Sequence, residues 1–487
     1  MTTTMTKKRT GAKRFLLLLA LLPTPVGGEQ DNFARQNNSP TLFGMREYRL
    51  LAGDISQDPA NSALVEDFPS GNAATDDLKA RLMALLTGHV RINKVLADRK
   101  SAWHGARQAM GDWFPALDIN LTMGGEQQRK TDQAHNTNDF DETEIKISQL
   151  LWDFGATNGK VAQGRLRYEK ANIEWAAARQ KLLLEALTAF LEWKKAKQTV
   201  EFVRRSEANV HRQTELELTR TTGGAGSASD VLQSKTQLAG ARSRRIQAES
   251  ALDITGNRYR ALFGEFPPDT LFSAKLPPSL LAKVPKTLDG TLTLALLDNS
   301  EVRAAILDER IAKQKIRAVH GKQFFPRIEA SAGYTKKDGA DGIPAIREDT
   351  FVDVSVNFPL NLMSGTNALR AARQQRVAAL YEVTNVQHSV EEKARNNWQR
   401  LSNSRIVADS LDEQARYAAE FLALARMERE LGNRSLIDLL SGENSLNNAQ
   451  NAAASARIDL QLAQLALLHV IGRLDLDEAF NVGSASP

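Results

Sequence analysis

The sequence predicts an α+β fold, in which very long helices carry two short β-hairpins. Three observations predict it. The chain of 487 residues repeats its own landmarks once. In each copy the apolar period switches from 3.6 to 2 and back again. Proline is missing from two long stretches, between Pro115 and Pro267 and between Pro359 and Pro487.

The duplication rests on four landmarks in one order. Phe114-Pro115 recurs as Phe325-Pro326, and Gly155-Ala156-Thr157-Asn158 as Ser364-Gly365-Thr366-Asn367. Ser227 and Asp230-Val231-Leu232 recur as Ser435 and Asp438-Leu439-Leu440, and Gly264 recurs as Gly472. The spacing stays between 208 residues (Gly264 to Gly472) and 211 residues (Pro115 to Pro326). Repeats at a fixed period signal a duplicated structural unit.

The N-terminus reads as a secretory signal over 1–28. Lys7, Lys8, Arg9, Lys13 and Arg14 precede the apolar run Phe15–Leu22, and Val26 and Gly28 are small residues placed for cleavage. The run is too short to span a bilayer. Residues 29–73 are polar and irregular and read as an extension. The first repeat, 74–265, opens with a helix whose Leu78, Leu82, Leu85 and Leu86 share a face. Pro115 closes it, because the residue before proline avoids the helical region.

The first hairpin follows at 116–152. Leu117, Ile119, Leu121 and Met123 alternate with Asp118, Asn120 and Thr122, and Ile145 and Ile147 alternate with Glu144 and Lys146. A helix at 157–219 and a return helix at 230–262 complete the repeat. Residues 266–288 hold five prolines and read as a linker. The second repeat, 289–473, has the same order: a helix, a hairpin at 327–360, a long helix at 366–430 and a return helix at 436–470. A tail occupies 474–487. In the second hairpin Ile328, Ala330 and Ala332 alternate with Arg327, Glu329 and Ser331, and Val352, Val354 and Val356 with Asp353 and Ser355. At 1.5 Å per residue the long helices run about 95 Å and about 97 Å, a length that indicates coiled coil.

Strands of about ten residues match a tilted membrane strand. After the signal no apolar run reaches the roughly eighteen residues of a spanning helix. Membrane entry then requires a closed barrel, since open strand edges are unsatisfied in lipid. Two hairpins supply too few strands, because barrels begin at about eight. Membrane strands therefore imply an oligomer, with Asp118, Glu144, Lys146, Arg327, Glu329 and Asp353 lining a polar lumen. The alternative is a pair of soluble amphipathic hairpins.

These residues resemble the TolC-like outer-membrane channel proteins of Gram-negative bacteria. The resemblance covers about Ala74 to Arg473. It rests on Phe-Pro opening a strand and on Ser148-Gln149-Leu150-Leu151-Trp152-Asp153-Phe154-Gly155 ending a hairpin. The third motif is Gly432-x-x-Ser435-x-x-Asp438-Leu439-Leu440 at a helical tip. The resemblance implies a homotrimer whose chains each give four strands to one twelve-stranded transmembrane barrel. The long helices then form a coiled-coil tunnel in the periplasm. Its tip docks a periplasmic adaptor and an inner-membrane transporter, with an ABC type expected.

Carried over by motif, Asp230, Arg434 and Asp438 fall at the periplasmic gate. Asp230 and Arg434 are expected to pair, and Asp438 to form an acidic ring. The turns Gly223, Gly224, Ser227, Gly432 and Ser435 are expected to meet the adaptor. The chain departs from the pattern at Ser441 and Arg429. Asp230 and Asp438 also read as caps of the return helices.

Other chemistry is not indicated. The net charge of +5 and 6% aromatics make no case for nucleic acid. Cysteine is absent, so no thiolate metal site, Cys nucleophile or lipidated cysteine is expected. The seven histidines lack metal-ligand spacing. No cofactor and no enzyme activity are expected. The reading is an outer-membrane exit duct set in lipid, for type I protein secretion or, alternatively, small-molecule efflux. The leucine-rich hairpin end and missing lipidation cysteine favour secretion by analogy. A periplasmic structural coiled coil is the reading from another class.

Overall fold

The computed structural model describes residues 73–128, 136–224, 227–342, 345–359, 362–431, 434 and 436–476. The segment 1–28 expected to be a signal, almost all of the expected extension 29–73 and most of the tail 474–487 lie outside these residues. The first repeat comprises α1 (Ala73–Gly88), α2 (Val90–Gly111), β1 (Ala116–Gln128), β2 (Asn136–Trp152), α3 (Ala156–Thr222) and α4 (Ala228–Phe263). A 3-10 turn (Asp269–Ser273) and α5 (Pro278–Ala282) follow. The second repeat comprises α6 (Leu288–Asp298), α7 (Ser300–Phe324), β3 (Arg327–Asp338), β4 (Arg347–Asn357), α8 (Leu362–Glu430) and α9 (Leu436–Val470).

α3 and α8 have 67 and 69 residues, which makes each about 100 Å long. Near the sheet α3 packs against α2 and α7; further along it packs against α4 and α9. α8 packs against α6, α7 and α9. The approach of α7 to α3 is unusually close. A Cβ at Gly159 would fall 2.7 Å from the Ala318 nitrogen, and one at Gly321 would fall 2.6 Å from the Ala156 nitrogen. Only glycine fits either contact.

The helix before each hairpin is two helices, where the sequence reading has one. α1 and α2 part at His89, whose Nδ1 accepts from the Arg91 amide at 3.1 Å. α6 and α7 part at Asn299, whose Oδ1 accepts from the Glu301 amide at 2.7 Å. In both cases a side chain recaps the helix after a bend. Apolar periodicity runs through such a bend, so it does not mark one.

The main core lies around the middle of the long helices. Leu182, Leu187, Phe190 and Leu191 of α3 meet Leu78 and Leu82 of α1, Tyr259 of α4, and Leu465 and Leu468 of α9. The proline-rich segment is part of this core rather than a free connection. Leu271, Ala274, Leu276 and Leu280 are all buried in it. Lys194 Nζ donates to the Ala274 carbonyl at 2.6 Å, and burial, then the nearby Lys275, pushes its pKa down. Prolines end long helices, but they leave the leucines between them free to pack.

Candidate channel surfaces

The four strands form one antiparallel sheet in the order β1-β2-β3-β4. The hairpins therefore pair with each other through β2 and β3, while β1 and β4 each leave an edge within the chain. Residues directly opposite in an antiparallel ladder share a face. Asp118 stands opposite Lys146, Lys146 opposite Gly333, Glu329 opposite Ser355, and Ser331 opposite Asp353. The register thus brings Asp118, Glu144, Lys146, Arg327, Glu329 and Asp353 onto one face. Polar contacts tie that face together. Asn120 donates to Glu144 at 3.3 Å, Arg327 to Glu329 at 2.7 Å, and the Ser331 hydroxyl to Asp353 at 2.7 Å.

The opposite face carries Leu117, Ile119, Ile147, Val352, Val354 and Val356. Val352 is 75% exposed and Ile119 60% exposed. An apolar face this open is disfavoured in contact with water, where it would form a large sticky patch. It matches the lipid-facing side of a barrel strand.

Aromatic rings collect where strands become helices. Trp152 meets Phe154 edge-on at 6.1 Å, and Phe154 stacks on Phe325 at 4.9 Å. Phe154 and Gly155 both have positive φ, 54° and 91°, so the chain turns sharply there. Asp153 holds the turn. Its Oδ1 accepts from the Gly155 amide at 3.2 Å, and its Oδ2 from the Thr157 amide at 2.6 Å. The Trp-Asp-Phe-Gly motif is thereby explained as a strand-to-helix corner.

The far end of the long helices holds the two turns. Gly223 caps α3 through its amide, and Gly224 takes φ +81°. The Ser227 hydroxyl caps α4 by accepting from the Ser229 amide at 3.2 Å. Asp230 is half-buried in the first turn of α4, and Asp438 is exposed in the first turn of α9. Acidic groups are favoured at helix N-termini. Arg434 lies 3.3 Å from Glu428 and over the ring of Phe421 at 4.8 Å. Gly432 and Ser435 lie outside the described residues.

Several contacts in these regions have no counterpart in the sequence reading. Phe140 and Phe351 lie on the polar face, each opposite a glycine, Gly124 and Gly333. Before the first turn, Arg245 bridges Glu207 and Glu249, both at 2.6 Å, while Arg204 reaches Glu249 at 2.8 Å. The Arg204 hydrogen bond is the main cause holding the Glu249 carboxyl below its ordinary value. Arg245–Glu207 and Arg204–Glu249 join two helices, so spacing along one helix does not reveal them, whereas Arg245–Glu249 is an i,i+4 pair within α4. Glycine within an alternating strand is the one signal that marks the two Phe–Gly pairs.

The family model described as outer membrane efflux protein matches residues 84–265 and 291–473, one match per repeat. The outer membrane protein TolC of Vibrio cholerae is 26% identical over 80% of this chain and 89% of its own. The alkaline protease secretion protein AprF of Pseudomonas aeruginosa is 23% identical over 68% of this chain and 69% of its own. The crystal structure of the outer membrane protein VceC from Vibrio cholerae superposes with a TM-score of 0.68. That match has 19% identity and covers 83% of this chain and 99% of VceC. The sheet with one apolar and one polar face, the long paired helices and the two matched repeats lead to one assignment. The chain belongs to the outer membrane efflux protein family, and it is a channel subunit of the outer membrane whose helices stand in the periplasm.

Proposed function

We propose that this chain is one third of a type I secretion exit duct, receiving its substrate from an ABC-type inner-membrane transporter through a periplasmic adaptor. Channels of the family are homotrimers that work with an adaptor and an inner-membrane transporter. The observation that carries the duct is the sheet itself. It has an apolar exposed face, a polar face and two open edges, so three copies close twelve strands around Asp118, Glu144, Lys146, Arg327, Glu329 and Asp353. The likeness to a relative named for alkaline protease secretion favours a protein substrate. Deletion of the gene tests this choice. Loss of one exported protein from the medium with unchanged drug susceptibility is expected. Raised drug susceptibility with normal export assigns small-molecule efflux instead.

The turn end is proposed as the gate and the docking tip. Within a chain Arg434 is held beside Glu428, so its link to Asp230 would form between neighbouring protomers. Asp438 would add an acidic ring, and Gly223, Gly224, Ser227, Gly432 and Ser435 would present the turns to the adaptor. Exposed pairs contribute only about 0–1 kcal/mol each, which a docking partner readily displaces. Single-channel recordings of Asp230→Ala and Arg434→Ala test the gate: both are expected to raise the closed-state conductance, and no change in either rejects it.

A further inference from the structure

We propose that Phe140 and Phe351 form an aromatic belt on the lumen wall, which holds apolar side chains of an unfolded polypeptide in transit. The inference rests on the secretion reading above and on the polar face of the sheet lining the lumen.

Among the described residues these two are the only rings on the polar face. Each lies over a glycine. Cε1 and Cζ of Phe351 both stand 2.6 Å from where a Gly333 Cβ would be, and Cε1 of Phe140 stands 3.1 Å from a Gly124 Cβ. A ring that covers a glycine lies along the wall, so it adds apolar surface without crossing the bore. Both rings are half-buried, so part of each stays open to the lumen. The pair is duplicated with the hairpins. Gly124 follows Pro115 by nine residues and Gly333 follows Pro326 by seven, so the two rings differ in height by about 5 Å on tilted strands. Three protomers thus place six rings at nearly one level.

The spacing of the rings decides the occupant. Twelve strands about 4.8 Å apart and tilted about 40° give a wall perimeter of about 75 Å. Rings on every second strand then stand about 12 Å apart along the wall, so no two of them enclose a small molecule between their faces. A chain that carries apolar side chains at intervals touches one ring after another. The charges beside the rings are already engaged. Glu142 pairs with Lys337 at 3.1 Å, Asp349 with Arg347 at 3.0 Å, and Asp353 accepts from the Ser331 hydroxyl at 2.7 Å. The belt therefore offers apolar contact in a wall whose neighbouring carboxylates are occupied. Weak, repeated contacts permit passage, because a permeant must leave each site as readily as it enters.

Single-channel recordings of the full-length trimer in a planar bilayer test the belt. Two unstructured glycine-serine-lysine peptides of equal charge are added on the side away from the helices, one with four phenylalanines and one with serines in their place. Phenylalaninamide is the small-molecule probe. The phenylalanine peptide is expected to block the wild type roughly two- to ten-fold longer than the serine peptide. Phe140→Ser with Phe351→Ser should abolish that difference, and Phe140→Tyr with Phe351→Tyr should retain it. Asn120→Ser, elsewhere on the same face, should leave it intact. Equal block by the two peptides in the wild type, a difference that survives in the double serine variant, or equally long block by phenylalaninamide overturns the proposal. The comparison within the wild type holds even where a substituted trimer fails to insert. Phe351→Cys supplies the sole thiol in a chain without cysteine and should react with a membrane-impermeant maleimide. Lack of reaction overturns instead the lumenal placement of the polar face, and failure of the secretion reading shows separately in the deletion strain.

Discussion

The middle of the long helices and the sheet use apolar residues in opposite ways. In the middle, Leu78, Leu187, Phe190 and Tyr259 are buried by their own chain. In the sheet, Leu117, Ile119, Val352 and Val354 remain open. The first region is finished within one protomer. The second is complete only with lipid on one side and further strands at its edges. Stability of the subunit and its assembly into a channel therefore reside in different residues, and mutation separates them.

The largest effect is expected at the core. Phe190→Ala leaves a cavity among α1, α3 and α9 and should cost about 3–5 kcal/mol. Thermal unfolding of the detergent-solubilised protein would read it as a lower melting temperature. A shift no larger than that of an exposed helix position breaks the contrast. The sheet comes next. Val352→Arg places a charge at the centre of β4 on the apolar face, at about 2–4 kcal/mol. It should lower the yield of membrane-inserted trimer while leaving the helical content by circular dichroism intact. Asp353→Asn, one residue on and facing the other way, should insert normally. Equal yields for Val352→Arg and Asp353→Asn would show that the two faces are not distinguished by lipid.

The same division explains what the sequence made legible. Strands that face lipid on one side and polar surroundings on the other alternate strictly, so Ile119 and Asp118 could be sorted without coordinates. The sheet order was not legible, because pairing of β2 with β3 joins residues far apart in the chain. The role of Leu271 and Leu280 was also hidden. Proline marks where helices stop and carries no information about which leucines are buried. At the tip, Asp230 and Asp438 were found by motif, whereas Glu428 as the in-chain partner of Arg434 was not. Their geometry depends on how the turn folds back.

A smaller effect is expected at the junction between the two regions. Asp153 is buried and satisfies the amides of both Gly155 and Thr157. Asp153→Ala leaves these donors unpaired, at about 1–3 kcal/mol. Asp153→Asn keeps one acceptor and should recover part of the loss. If neither substitution moves the unfolding transition, the corner is not held by this carboxylate.

The core also carries the smallest of these effects, and it depends on pH. His469 lies near the end of α9, where burial is the main cause lowering its pKa, with Lys181 and Lys393 adding to the fall and Glu301 opposing it. The folded state therefore binds the proton less readily than the unfolded chain. Below the ordinary histidine value of 6.5 the unfolded state gains protons first, so stability falls as pH falls toward the depressed folded value. The slope cannot exceed about 1.4 kcal/mol per pH unit for a single group. His469→Gln should flatten the melting temperature between neutral and mildly acidic pH. The sheet offers the control, since Val352→Arg changes insertion without touching His469 and should leave the slope as it is. A slope that survives in His469→Gln would place the acid sensitivity outside the core. The middle of the helices would then no longer be the part of the subunit that decides its own stability.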